Sequence, residues 1–218
     1  MCRGPPMAHC SHSMTVRDLQ RMSGNSTAKV GHWSSHKIRA LSTRFQLSTT
    51  VRNQEVPKAE AALATARQVI LDVKVGPPLF EKGLAKDVLS IIRRTNCKNC
   101  VIWSKSDNIG RDLINSSEDV VVGYIVMVDW STGRRTELVR IEGAKVAGVY
   151  HPLIHGKLMK TMHRNDRKVY EWTVDDSDSM KRMLYEQVDA IVTSNPSFLQ
   201  QLMQELRTEC MEDGIAFP

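Results

Sequence analysis

The sequence predicts an α/β protein whose strands pair mainly in parallel, and three features carry that expectation. From residue 68 onward, short apolar runs of strand length alternate with amphipathic stretches of helical period. The runs are nearly continuously apolar, which suits strands covered on both faces. Parallel neighbours need a crossover connection, and the helical stretches supply one between successive runs.

Gln68 to Lys74 reads as a buried strand ending in charge, and Phe80 to Thr95 follows with Leu84, Val88, Ile91 and Ile92 at helical spacing. Val101 to Trp103 is a second strand, and Asp107 to Ile114 a short helix with Ile109, Leu113 and Ile114 on one face. Val120 to Met127 has the strongest strand pattern in the chain. Val146 to Tyr150 is the fourth, followed by a helix that turns Ile154, Leu158 and Met162 inward. Val169 to Val174 and Val188 to Thr193 complete six strand candidates. Between these two, Asp176 or Ser177 is placed to cap a helix burying Met180, Met183 and Leu184. The last helix has Asn195 as N-cap and Pro196 at its first position. Leu199, Leu202, Met203, Leu206 and Cys210 make its apolar stripe, and Gly214 stops it. This order fits an open doubly wound sheet and a barrel alike.

Upstream of residue 68 the texture differs. Residues 1–15 have no periodicity and read as a loose leader. Thr15 to Val56 is polar, with a few apolar anchors such as Leu19, Leu41 and Phe45, and reads as loop with short helical pieces. The first sixteen residues lack the continuous apolar core of a secretory signal. No apolar run approaches the ~20 residues of a membrane helix. The expected location is therefore cytoplasmic by default.

Composition narrows the function classes. The 218 residues are 41% hydrophobic and 25% charged, ordinary for a globular domain, while a complete eight-stranded α/β barrel takes roughly 250 residues. The net charge of +6 is scattered (Arg93 and Arg94, Arg134 and Arg135, Arg164 to Lys168), and aromatics are only 6%. A nucleic-acid binder clusters its basic residues and interleaves them with stacking rings, so a solvated basic surface is expected here. Five cysteines, odd in number and irregularly spaced, argue against a disulfide framework. Cys97 and Cys100 form a C-x-x-C that lacks the second pair a structural zinc requires. It runs into a strand, whereas a redox C-x-x-C typically opens a helix.

In parallel α/β folds, ligands gather at the C-terminal ends of the strands. Those ends carry Asp72 and Lys74, Trp103 to Lys105, Tyr124 to Asp129, His151, Trp172 with Asp175 and Asp176, and Thr193 to Asn195. Asp72 and Lys74, two apart, point to one face and could hold a cation and an anionic oxygen side by side. On the residues alone, a strand-end salt bridge is the commoner arrangement of such a pair. His151 lies near the rim, where a lone histidine is commonly a loop residue. Neither a G-x-S-x-G elbow, a phosphate-cradling glycine loop nor a dinucleotide fingerprint occurs.

Six segments taken in order resemble the glycerophosphodiester phosphodiesterases, most closely their plant branch. They are Gln68 to Lys86 (QVILDVKVGPPLFEKGLAK), Lys98 to Ser106 (KNCVIWSKS), Val122 to Asp129 (VGYIVMVD), Gly148 to Ile154 (GVYHPLI), Lys168 to Asp176 (KVYEWTVDD) and Met183 to Pro196 (MLYEQVDAIVTSNP). Arg17 to Gly24 and Val56 to Leu63 resemble the stretch linking that family's early strands to its middle. The W-T-V-D element together with V-D-A-I-V-T-S-N-P is specific as a pair. The resemblance covers about residues 16–212, leaving 1–15 as leader and 213–218 as tail.

The resemblance implies an incomplete (β/α)₈ barrel with about six of eight strands, from a family that hydrolyses glycerophosphodiesters to glycerol 3-phosphate and an alcohol. It implies a divalent cation, calcium or magnesium, and two catalytic histidines. Asp72 matches a metal-ligand position, Lys74 the lysine of the same motif near the phosphate, and Trp172 the aromatic lining the substrate pocket. The family's strand-borne H-R and its E-x-D have no counterpart. Where relatives read H-D, this chain reads Met14-Thr15-Val16, and His9 and His12 lie in a different register. With Asp72 alone, a cation needing about six oxygens is not held firmly. Without the histidines, general acid–base catalysis loses both agents. The expectation is a chain of phosphodiesterase type with no appreciable hydrolysis of its own and a tendency to self-associate through open sheet edges. The alternatives are a non-catalytic relative that binds a phosphodiester or a protein partner, and a basic α/β binding protein of unrelated function.

Overall fold

The computed structural model describes residues 68–76, 80–129 and 131–212, together with 20, 23–27 and 37. The side chains of 210–212 are not described. The leader, most of the polar segment before residue 68, and the expected tail lie outside the described residues, as do His9, His12 and Met14 to Val16. The chain divides into two compact units. One holds Ile70–Val73 and the described residues from Val101 onward; the other holds Lys74–Cys100 and the described residues up to Val69.

Six strands form one sheet in sequential order: β1 (Val69–Val73), β2 (Cys100–Ser104), β3 (Val121–Val126), β4 (Val146–Tyr150), β5 (Lys168–Trp172) and β6 (Ala190–Ile191). From β2 through β6 every neighbouring pair is parallel. Sequential order decides between the two architectures left open by the sequence. A doubly wound sheet reverses its strand order at a switch point, whereas consecutive parallel neighbours generate a barrel wall. The sheet is a curled half-barrel.

Among the described residues, the helices from Leu84 onward are α1 (Leu84–Thr95), α2 (Asp107–Ser116), α3 (Gly156–Arg164), α4 (Ser177–Tyr185) and α5 (Pro196–Glu212). Their starts follow capping chemistry. The side chains of Ser106, His155, Asp176 and Asn195 accept from the backbone N–H three residues on, at 3.3, 3.3, 2.9 and 3.2 Å. The expected helix from Phe80 begins only at Leu84, because Phe80 and Gly83 both take positive φ (52° and 74°), which interrupts the helical path. The expected strand from Val188 to Thr193 reduces to Ala190–Ile191.

Strand alternation sorts the sheet residues into two layers. On the helix side, Val126, Ala147, Val149, Val169 and Ile191 pack with Leu158 and Met162 of α3, Met180 and Met183 of α4, and Leu199 and Leu202 of α5. On the other side lie Val101, Trp103, Ile125, Val146 and Tyr170, with Ile70, Met127, Trp172 and Val192 partly buried beside them. This second layer is the wall's inner face. Two glycines make room for the Trp103 indole there. A Cβ on Gly148 would stand 2.8 Å from a Trp103 ring carbon, and one on Gly123 3.2 Å from the Trp103 Cβ.

Candidate active site

The C-terminal ends of the strands in the larger unit carry two of the residues expected from sequence, Asp72 on β1 and Trp172 on β5. Asp72 shares strand parity with Ile70, which packs in the inner layer, so its exposed carboxylate belongs to the inner side of β1. Lys74 follows β1 directly in the chain. On β2, the buried Ser104 is structural. Its hydroxyl donates to the Val73 carbonyl at 3.0 Å and accepts from the Ser106 N–H at 3.1 Å, tying the end of β1 to the turn before α2.

Trp172 lies on the inner side of β5, paired in register with Tyr150 on β4. Their rings are 5.5 Å apart between centroids and tilted by 40°, an attractive aromatic geometry. The Trp172 Nε1–H is buried and has no hydrogen-bond partner among the described residues. A buried donor left so costs free energy unless a ligand or water accepts from it. His151 follows Tyr150, its ring edge-on to the tyrosine at 5.4 Å. Burial, then the Arg182 charge, push the His151 imidazole below its ordinary value, so it is neutral near pH 7.

Other strand-end residues serve the frame. Tyr124 is buried on the helix side, where its hydroxyl donates to the Leu138 carbonyl and the Arg140 guanidinium lies over its ring at 4.7 Å. Arg140 also bonds both Asp107 oxygens (2.9 and 3.0 Å) and the Ile125 carbonyl (2.7 Å), fixing the excursion between β3 and β4. Asp129 closes a turn by accepting from the Ser131 hydroxyl and from the backbone N–H groups of Ser131 and Thr132, which lowers its carboxyl to about 2.

The motif pair that carries the resemblance is a mutual lock. Asp175 accepts from the Thr193 hydroxyl at 3.0 Å and the Ser194 N–H at 2.7 Å, while the Thr193 oxygen accepts from the Asn195 N–H at 3.0 Å. The W-T-V-D and T-S-N-P segments are therefore coupled by hydrogen bonds between the ends of β5 and β6. The His163-Arg164 dipeptide lies in α3, with His163 Nε2 2.9 Å from Asp189 just before β6. That places it at the N-terminal ends of the strands, away from the candidate site.

Sequence reasoning passed over two residues. Tyr150 was legible as an aromatic closing a strand beside another that also ends in an aromatic, once the register was known. Glu171 had no signal. It reads as one polar residue in a strand, yet it is fully buried, with neither carboxylate oxygen bonded among the described residues. Burial raises its carboxyl to about 8, and the Arg182 charge offsets part of that.

Among the described residues no three His, Cys, Asp or Glu side chains come together as a cation site. Calcium and magnesium take about six oxygens, and one aspartate carboxylate supplies at most two. The described residues do not fit a divalent cation. What the arrangement can do is present an aromatic platform with an indole donor on the wall's inner side.

Comparison with known proteins places this geometry. A family model described as dermonecrotic toxin SPH matches residues 152–210. A glycerophosphodiester phosphodiesterase of Arabidopsis thaliana is 52% identical over 204 residues, covering 92% of this chain. The chain spans 62% of that protein's length. A glycerophosphodiester phosphodiesterase of Caldanaerobacter subterraneus is 25% identical over 142 residues, covering 63% of the chain and 56% of that protein. Among solved structures, a protein assigned as a glycerophosphoryl diester phosphodiesterase from Silicibacter pomeroyi superposes with a TM-score of 0.69 at 19% identity. It covers 82% of this chain and 70% of its own. A phosphodiesterase of Oleispira antarctica, solved with the product sn-glycerol-3-phosphate, gives 0.60 at 11% identity, covering 81% and 73%. At such identities these structures speak for the fold. The 52% identity to the Arabidopsis protein is held over 92% of this chain, so the chain is homologous to the glycerophosphodiester phosphodiesterases.

Proposed function

We propose that this chain provides the substrate-recognition side of a glycerophosphodiester phosphodiesterase barrel and, in this form, binds a glycerophosphodiester or glycerol 3-phosphate without appreciable hydrolysis. The observation that carries the reading is the Tyr150–Trp172 ring pair at the C-terminal ends of adjacent strands, with a buried indole N–H that has no partner among the described residues. A ring face packs against the glycerol carbons, and an indole N–H donates to a phosphate or hydroxyl oxygen. Lys74 is assigned to the phosphate as a point charge. Asp72 is assigned as the one metal ligand from this stretch; a cation there requires oxygens from outside the described residues.

The reaction class is phosphoric diester hydrolysis to glycerol 3-phosphate and an alcohol. It needs a proton acceptor for water and a donor for the leaving alkoxide. His151 is neutral near pH 7 but stands alone, so the paired acid and base are lacking among the described residues. The test is turnover of glycerophosphocholine with added calcium or magnesium, beside calorimetric titration with glycerol 3-phosphate. The expected result is saturable binding, weakened by Trp172→Ala, with no turnover above buffer. Turnover that Asp72→Ala abolishes would overturn the inactive half of the reading. Absence of binding would overturn the recognition half.

A further inference from the structure

We propose that Cys97 and Cys100 are a reversible dithiol–disulfide site, opened by an external dithiol that attacks at Cys97. The two are joined as a disulfide in the smaller unit, with Cα atoms 5.7 Å apart. They close the turn between α1 and β2. Asn96 caps α1 in the left-handed conformation (φ 49°), and the Asn96 and Cys97 N–H groups return to the carbonyls of Arg93 and Ile92. Asn99 then accepts from the Val69 N–H at 3.1 Å. These bonds hold the turn whether or not the sulfurs are joined.

Access at the two sulfurs differs. Cys97 is half-buried in the turn, whereas Cys100 is 5% exposed at the head of β2. Thiol–disulfide exchange needs an in-line approach to one sulfur, so the entering thiolate meets Cys97. It forms a mixed disulfide there and expels Cys100 as a thiolate, which takes up a proton. The second thiol of the reagent then displaces Cys97, whose sulfur is protonated in turn. Two electrons and two protons pass from the dithiol to the chain, and the reagent leaves as its own disulfide.

The surroundings set the poise. A C-x-x-C at a helix N-terminus gains thiolate stabilisation, which makes the disulfide strongly oxidising. This pair follows a helix C-terminus, where the partial negative charge disfavours thiolates, while Arg93, Arg94 and Lys98 oppose it. The balance keeps the reduced form from being strongly favoured. The loop closed is also among the shortest a disulfide can close, and the constraint on the unfolded chain grows with loop length. Little of the fold depends on the bond, so it can open and re-form in the native state.

The test is differential alkylation of the folded chain with peptide mapping, before and after dithiothreitol. The expected result is no label on Cys97 or Cys100 in air-oxidised protein even after denaturation, label on both after reduction, and loss of both on reoxidation. The circular dichroism spectrum should be unchanged throughout. With Cys100→Ser, the remaining Cys97 should react with an aromatic disulfide reagent at least tenfold faster than Cys100 does in Cys97→Ser. If a variant fails to fold, the same ranking is read on the unsubstituted chain from where a trapped mixed disulfide sits. Label on both cysteines of the oxidised chain, unfolding on reduction, or entry at Cys100 would each overturn the proposal.

Discussion

Replacing Glu171 with glutamine isolates the cost of an ionisable group sealed in the helix-facing layer. The carboxyl is fully buried, has neither oxygen bonded among the described residues, and is raised from 4.5 to about 8, chiefly by burial. For an acid whose folded value lies above its unfolded value, the native state binds more protons. Stability is then complete below the unfolded value and falls as pH rises towards the folded one. The window runs from 4.5 to about 8. Each unit costs about 1.4 kcal/mol, so the penalty at pH 7 is of order 3 kcal/mol. Glutamine keeps the shape and the buried dipole and removes the ionisation. Urea unfolding at pH 5, 7 and 8.5 should give near-equal stabilities at pH 5. At pH 7 the variant should be the more stable by ~3 kcal/mol, and the gap should widen further by pH 8.5. Parallel pH profiles for the two proteins would refute the reasoning.

Three further perturbations test the frame. Gly148→Ala sets a Cβ 2.8 Å from a Trp103 ring carbon and should cost ~1–3 kcal/mol by overpacking, read as a lower urea midpoint at constant slope. Arg140→Ala leaves Asp107 and the Ile125 carbonyl without their shared partner and should cost ~2–4 kcal/mol, with protease cleavage appearing first between residues 131 and 142. Asp175→Asn should loosen the lock between the ends of β5 and β6. The native carboxyl is held below the usual range, first by the Ser194 N–H. Its contribution is therefore present above the unfolded value and lost as pH falls through the folded one, and the variant should lack that acid-side loss. An unchanged acid limb would contradict the assignment.

The division between what was legible in the sequence and what was not follows the range of the interactions. Val69–Val73 and Val146–Tyr150 were readable because apolar runs of that length have few other solutions, and Asp176 and Asn195 because capping acts over three residues. Sequential strand order was not, since local periodicity is the same in a barrel wall and a doubly wound sheet. Phe80 and Gly83 delayed α1 through positive φ that helical spacing does not encode. At the site, Trp172 was reached through resemblance. Its pairing with Tyr150 depends on the β4–β5 register, which no local pattern fixes. Asp175 read as a strand-end carboxylate and proved to be a bridge to Thr193 and Ser194, because its partners lie 18 and 19 residues away.

The central claim, that the C-terminal ends of β4 and β5 recognise a glycerol phosphate, is tested most directly by amide and indole nuclear magnetic resonance during titration with glycerol 3-phosphate. The account predicts saturable shifts of the Trp172 indole N–H and of the Tyr150 and His151 amides. Lys168 and Val146, at the opposite ends of the same strands, should stay unchanged. Shifts confined to those opposite ends, or a Trp172 indole that does not move at saturation, would contradict it.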